Sequence, residues 1–583
     1  MLCILSQPSL KGSKLNTANA YFIIFLEAQV MEIKIDHSKS IRKLESNAKK
    51  GNFYSAFQLY EYYSEGKFVK KDSVKADYFL EMSNSLFEQQ EVKIKEINIE
   101  NFRNFDSLFL SDFDPNINVI VGTNGAGKTT LLDAIDTSLS WLRNSILKTG
   151  GSGNYISEKD INLYSDIPYA TISSVIEVNH KIDVPLEISK SREGTAKRRN
   201  QLLAHRTIGE FYKIANEKNP TFNFPLLAYY NVMRSYDVNP RDISGHDEVI
   251  GFDKFEGYRN SLNGKTDFQS FFNWYKRLDD ILARRESNVS KATVLKELGL
   301  TPSLFEKLEI LAEHDEETRE SLEVIRSKFP DEVDDILDED YAKQAKLMVN
   351  QAISSFMTGY SNLEVQLEPF VDLLIEKNGR KISVLSLSQG EKTLLTLIAD
   401  LTKRLIQLNP SLENPLQGQG VILIDEVDLH LHPKWQRKIA NNLKKTFPNC
   451  QFFLTTHSPL VLGEVNPSQI TLLSLDENCS VTIRKPSQSF GLTSNDILNE
   501  LMSDGASEYT QLGRSELVES MLRQINKLIA IESEDSLAEA REKIIELEEL
   551  TFGEIPELLG AKMELEILSN HDELTGEDNE TDH

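Results

Sequence analysis

Residues Val119–Ile135 read VIVGTNGAGKTTLLDAI. An apolar run enters a turn built on Gly122, Gly125 and Gly127. Lys128, Thr129 and Thr130 follow, and then Leu131, Leu132 and Ile135 recur at helical spacing. The pattern predicts a buried strand, a glycine turn and a helix. Glycines in such a turn let successive backbone N–H groups face inward as an anion nest, and the helix adds the positive end of its dipole.

Gly122 to Thr129 matches the eight-position P-loop pattern. In that pattern the lysine reaches the β- and γ-phosphates of a nucleotide and the hydroxyl after it ligates Mg2+. Gly122, Asn124, Gly125, Gly127, Lys128, Thr129 and Thr130 are therefore the candidate nucleotide-binding residues. A second run, VILIDEVDLHLHP from Val421, ends four apolar residues in Asp425 and Glu426. A strand-end aspartate can hold the metal, and the next carboxylate can orient or deprotonate an attacking water. Asp425 joins Thr129 as a candidate metal ligand, and Glu426 is the candidate base. His430 and His432 invite a zinc reading, but no third or fourth ligand accompanies them.

Two further stretches narrow the class. LSLSQGEKTLLTL places Ser388 at the cap of a helix, with Gly390 just inside it. FFLTTHSPLVL places His457 just after a buried strand. Together with the P-loop and Asp425-Glu426, these resemble the motifs of ABC-type ATPases. The resemblance implies an ATP site shared between two subunits packed head to tail. Ser388 and Gly390 would contact the γ-phosphate of the nucleotide held by the other subunit. His457 would sense the γ-phosphate, and DLHLHP would form the D-loop at the dimer interface. The glutamine of that family's Q-loop has no clear counterpart, since Gln201 lies beside a basic loop. PLLAYYNVMRS (Pro225–Ser235) looks like the strand and following arginine of this group, which would bring Arg234 near the nucleotide.

The opening INIENFRNFDSLFLSDFDPNINVIVGTNGAGKTTLLDAI resembles the RecF, SMC and OLD group, whose members act on nucleic acid. The 260 positions from Lys128 to Ser388 hold only short, irregular heptads, unlike the long coiled coils of SMC proteins. After His457 no Toprim pattern of the OLD nucleases is seen. LHLHPKWQ and SFGLTSNDIL are similar to the Septu-type antiphage defence ATPases, including those encoded beside retrons. That resemblance spans about 92–500. It implies an ATPase without its own nuclease, a separate HNH nuclease as partner and, in the retron version, a reverse transcriptase with its DNA–RNA product. Two alternatives stay open: a DNA-repair ATPase acting on DNA directly, and an ATP-bound scaffold that does not hydrolyse.

The chain of 583 residues is too long for one ordinary core. Its net charge of −26 excludes a protein that coats nucleic acid non-specifically, so any such contact must be local. Ser189–Arg206, SKSREGTAKRRNQLLAHR, is the local exception, with six Lys/Arg and one Glu. It reads either as a phosphate-contacting loop or as a solvated one. Three cysteines without pairing or metal spacing fit a reducing cytoplasm. AYFIIFL (20–26) is too short to span a membrane, and residues 1–30 read as an upstream extension of a chain starting at Met31.

Residues 48–83 form an α-hairpin pattern that resembles one Sel-one-like repeat, within a helical segment 31–90. One repeat cannot bury its own face and must pack on the main domain or on a partner. Strands are expected at Val92–Phe102, Asn116–Val121, Ile172–Val178, Pro225–Val232, Val371–Glu376, Lys381–Ser386, Val421–Ile424 and Gln451–Leu454. The fold class expected is α/β: an ABC-type P-loop ATPase head (91–500) with a mixed sheet and a helical insertion at about 267–360. An acidic helical tail follows (501–583), where 22 Asp/Glu face 6 Lys/Arg. Its last dozen residues read as disordered.

Overall fold

The computed structural model describes residues 39–87, 91–235, 253–286, 339–476, 480–501, 515–551 and 555–576. The expected extension 1–30 and the middle of the insertion, 287–338, lie outside the described residues.

The described part of the chain begins with helical residues 39–49 (α1), then α2 (Phe53–Glu65) and α3 (Ser73–Leu86). Strands β1 (Val92–Phe102), β2 (Phe105–Leu110) and β3 (Ile117–Gly122) lead into helix α4 (Lys128–Leu147). Next come β4 (Tyr169–Val178), β5 (Ile182–Ser191), α5 (Leu203–Lys218), β6 (Leu226–Tyr230), α6 (Phe268–Glu286) and α7 (Glu339–Phe356). A hairpin pair, β7 (Tyr360–Gln366), β8 (Asp372–Lys377) and β9 (Arg380–Ser383), precedes α8 (Gln389–Leu408). Then follow β10 (Gly420–Ile424), β11 (Cys450–Thr455), β12 (Ile470–Leu475), β13 (Val481–Arg484) and α9 (Ser494–Leu501). The tail forms α10 (Glu516–Ile529), α11 (Glu534–Thr551) and α12 (Pro556–Gly576).

The central sheet has the order β13-β12-β3-β11-β10-β6. All neighbours are parallel except β13, which pairs antiparallel with β12. Strands β6, β10 and β11 are buried along their whole length, as parallel strands covered on both faces must be. A second, antiparallel sheet has the order β2-β1-β4-β5. The P-loop helix α4 packs against strands of both sheets and against α5. That is why Leu132, Ile135, Leu139 and Trp141 are buried on more than one face of it.

The two sheets are tied by side chains. β1 is irregular between Ile94 and Glu96, and its pairing with β2 starts only at Ile97, so Ile94, opposite Ile176 of β4, has no strand partner on its other edge. The amide of Gln451 fills that place: the Ile94 N–H donates to its Oε1 at 2.7 Å and its Nε2 donates to the Ile94 carbonyl at 3.3 Å. Lys93 donates to the carbonyls of Pro115 and Asn449, and burial lowers its pKa. In the third sheet, β7-β8-β9, the turn at Asn378 (φ 50°) and Gly379 (φ 77°) has the left-handed pair that a tight hairpin requires. β9 stops at Ser383, and 384–386 form a short 3-10 turn where strand was expected.

The N-terminal helices pack on the main domain. Phe53, Phe57 and Phe87 surround Phe211 of α5, with ring centroids 5.2, 5.7 and 4.4 Å away. The opposite face keeps a core of its own, including Ala56, Leu59, Tyr63, Ala76 and Phe79. Helices α10–α12 also form a separate core, built on Ile525, Leu537, Ile544, Leu547 and Leu558. α12 runs to Gly576, into the stretch expected to lack structure, and 577–583 lie outside the described residues. Among the described residues no helix is long and apolar enough to cross a membrane.

Candidate nucleotide site

The glycine turn follows β3 directly. Gly125 (φ 87°) and Gly127 (φ 96°) occupy the left-handed region, which bends the backbone around the loop. Gly122 admits no side chain, because a Cβ there would stand 2.2 Å from the Leu473 carbonyl oxygen. A Cβ on Gly127 would meet the Phe105 ring and the Asn104 amide. The Asn104 amide donates to the Gly125 carbonyl at 2.9 Å, so the β1–β2 turn braces the loop from outside. No side chain caps the start of α4, which leaves its first N–H groups facing the loop. Lys128 is 8% exposed, and its ammonium donates to the Gly122 and Thr123 carbonyls at 2.7 and 3.0 Å. Burial lowers its pKa, while Asp425 and Glu426 pull the other way.

β10 and β11 are adjacent parallel strands, so Asp425-Glu426 and Thr455-Thr456-His457 emerge side by side. Thr129 donates to Asp425 Oδ2 at 2.9 Å, and Thr455 donates to Asp425 Oδ1 at 2.5 Å. The Thr455 hydroxyl also accepts the Glu426 N–H at 2.7 Å. Glu426 has φ 45°, an unusual conformation for a residue with a side chain, which that hydrogen bond holds in place. Thr456 donates to Asp428 at 2.5 Å and Ser458 to Gln436 at 2.9 Å. His457 is thus fixed between two residues that are each fastened to the 428–436 segment. Burial and the nearby Lys128 charge lower its pKa against the pull of Asp428, Glu426 and Asp425.

Ser388 and Gly390 open α8, where the Ser388 N–H donates to Glu391 at 2.8 Å. Glu391 also accepts from Lys377 at 2.7 Å and from Tyr360 at 2.5 Å. Burial opposes its charge, but these hydrogen bonds hold its pKa down at about 2. A Cβ on Gly390 would stand 2.1 Å from the His430 carbonyl oxygen. The turn that opens α8 therefore packs backbone to backbone on the segment that follows Glu426.

The structure brings together Lys128, Thr129, Asp425, Glu426 and His457, and sets Gly390, two residues after Ser388, against His430. Gly122, Asn124, Gly125, Gly127 and Thr130 lie on the loop and the first turn of α4. Arg234 falls in a short turn after β6, and its side chain lies outside the described residues. Gln201 pairs by backbone with Glu187. His432 caps the helical turn Pro433–Gln436, its Nδ1 accepting the Lys434 N–H at 3.2 Å. The basic segment is not a single loop: 189–191 end β5, 203–206 start α5, and Arg198 stacks 3.6 Å from the Tyr169 ring centroid. Sequence reasoning missed Thr455, Asn104 and Gln451, whose partners lie 30, 21 and 357 residues away.

A strand, glycine loop and helix at the middle of a mostly parallel sheet, with an aspartate at the end of β10, one strand beyond β3's neighbour β11, are the parts of a P-loop ATPase. The family model described as AAA ATPase domain matches residues 93–462, and the chain belongs to that family. The chain is 31% identical over 493 residues to the retron Vc95 probable ATPase of Vibrio cholerae serotype O1 biovar El Tor, covering 84% of this chain and 93% of that protein. It is 37% identical over 455 residues to the retron Ec83 probable ATPase of Escherichia coli, covering 74% of this chain and 81% of that protein. Over 180 residues it is 31% identical to the Septu protein PtuA of Bacillus thuringiensis, covering 30% of this chain and 44% of that one.

Proposed function

We propose that the chain hydrolyses ATP with Mg2+ as part of a bacterial antiphage defence system of the retron or Septu kind. Two copies pack head to tail and close on ATP, and this closure controls an associated HNH nuclease. The observation that carries the reading is the hydrogen bond from Thr129 to Asp425 together with the join of Asp425 to Glu426 through the Thr455 hydroxyl. The names of the retron and Septu relatives support the defence role.

The glycine loop and Lys128 hold the phosphates. Thr129 and Asp425 offer hard oxygen donors that suit Mg2+. Mg2+ supplies charge neutralisation to the phosphate oxygens. Glu426 takes the proton of the attacking water, and His457 senses the γ-phosphate by donating a ring N–H to its oxygens. Ser388 and Gly390 complete the site of the other copy. The division into helical repeat (31–90), ATPase (91–500) and acidic tail (501–583) follows the same reading. A retron reverse transcriptase with its DNA–RNA product is a further partner, and nucleic acid would meet the chain through 189–206.

Glu426→Gln tests the chemistry. ATP binding persists, turnover falls at least about 100-fold, and ATP-bound dimers accumulate in size-exclusion chromatography with light scattering. Normal hydrolysis by that variant removes Glu426 as the base. Affinity purification from the native host tests the biology. Recovery of an HNH nuclease supports the defence reading, and recovery of chromosomal DNA alone favours the repair ATPase.

A further inference from the structure

The described residues of the acidic tail fold into α10–α12, and the last of these helices is apolar on two faces. Leu558, Ala561 and Leu565 of α12 point into the α10–α12 core. Leu559, Met563 and Ile567 recur every four residues and are 46, 56 and 66% exposed. At 100° per residue they form one stripe about 12 Å long, on the side of α12 opposite its core contacts. A helix at the surface of a small bundle ordinarily shows solvent a polar face, and an apolar stripe there marks a contact surface. Gly560 lies beside the stripe, and a Cβ there would meet nothing within 4 Å, which leaves a notch open for a partner side chain. Ile545 and Leu550 of α11 and Leu517 of α10 are also exposed.

The charge around the stripe identifies what fits it. Glu557, Glu564 and Glu566 flank it on α12, within a region where 22 Asp/Glu stand against 6 Lys/Arg. A second copy of the same unit would bring two strongly negative surfaces into contact, which electrostatics opposes. A helix with a Leu/Ile stripe bordered by Lys and Arg would match both the apolar face and the acidic border. We propose that α12 is a docking face for a basic amphipathic helix of a different protein. This docking is independent of whether the chain hydrolyses ATP.

The full-length chain, carrying a photo-crosslinking p-benzoylphenylalanine in place of Met563, is irradiated in its native host and the crosslinked peptide is sequenced. The expected product joins α12 to one other polypeptide, at a segment with apolar residues at helical spacing flanked by Lys and Arg. With the purified pair, raising salt from 0.1 to 0.5 M weakens binding about tenfold or more. Leu559→Asp with Ile567→Asp abolishes the crosslink while ATP turnover and thermal midpoint stay unchanged, since both positions face solvent. A crosslink to a second copy of this chain, a crosslink to an acidic or neutral segment, or none above that of the same probe at exposed Tyr78 overturns the proposal.

Discussion

Thr455→Val keeps the shape of a fully buried side chain and removes one hydroxyl. That hydroxyl donates to Asp425 at 2.5 Å and accepts the Glu426 N–H at 2.7 Å. The lost hydrogen bond is to a carboxylate, worth about 1.5–3 kcal/mol, and the unpaired N–H adds about 1–3 kcal/mol. A stability loss of roughly 3 kcal/mol is expected, read as a lower midpoint in urea. The effect on turnover comes from a different source. Glu426 sits at φ 45°, and such a conformation persists only when its surroundings hold it. Freed from Thr455, its carboxyl moves by a fraction of an ångström to an ångström, which lowers kcat on the order of 10–100-fold. ATP affinity, set mainly by the glycine loop and Lys128, changes by less than about threefold. Steady-state phosphate release and equilibrium binding of a fluorescent ATP analogue separate the two. Thr455→Ser retains the hydroxyl and should restore most of the turnover. Wild-type kcat in Thr455→Val would show that the Asp425–Glu426 geometry does not depend on this residue.

Gly390→Ala sets a Cβ 2.1 Å from the His430 carbonyl oxygen, a backbone atom that cannot swing away. ATP binding should survive, while turnover and ATP-dependent dimerisation fall about tenfold or more by phosphate release and light scattering. Phe211→Ala empties the aromatic pocket shared with Phe53, Phe57 and Phe87. It should cost about 3–5 kcal/mol and make the N-terminal helices the first fragment released by limited proteolysis. Asp136, buried in α4 beside Asp133, has its pKa raised to about 7, chiefly by burial. The folded state therefore holds a proton that the unfolded chain releases above its ordinary value of 3.8. Stability falls as pH rises from about 4 to about 7, by up to about 1.4 kcal/mol per pH unit, and levels off above that. Asp136→Asn should raise the thermal midpoint at pH 8 and leave it nearly unchanged at pH 4.5.

What could be read from the sequence follows the physics of burial. β3, β10 and β11 are covered on both faces, so each appears as an apolar run, interrupted by Asn118 in β3 and by Gln451 in β11, and the expected bounds differ from the observed ones by a residue. β5 was harder to see. Its inward residues Ile182, Val184, Leu186 and Ile188 alternate with polar ones, and Pro185 argues against a strand unless the strand lies at an edge, as β5 does. Its last three residues fall in the basic segment and disappear into what reads as a loop. At the site, Gly122, Lys128, Asp425 and Glu426 announce themselves because their motifs are local. Thr455 does not, since a threonine at a strand end is common and its role exists only when β10 and β11 lie side by side.

The packing between the signature turn and the strand-end segment adds something that neither motif contains alone. Gly390 touches the His430 carbonyl, and His430, like Glu426, has a positive φ (61° and 45°). Three residues separate them, and the Glu426 carbonyl accepts the Leu429 N–H at 2.9 Å within that stretch. The turn that would meet the other copy's nucleotide is thus one tight loop away from the carboxylate that would serve this copy's own. In a close-packed interior a shift at one backbone must be taken up by its neighbour. A displacement of Ser388 and Gly390 on dimer closure would then move the 426–430 backbone, and with it the water-side carboxylate. Under the proposed head-to-tail arrangement each subunit would report closure at one nucleotide to the base at the other.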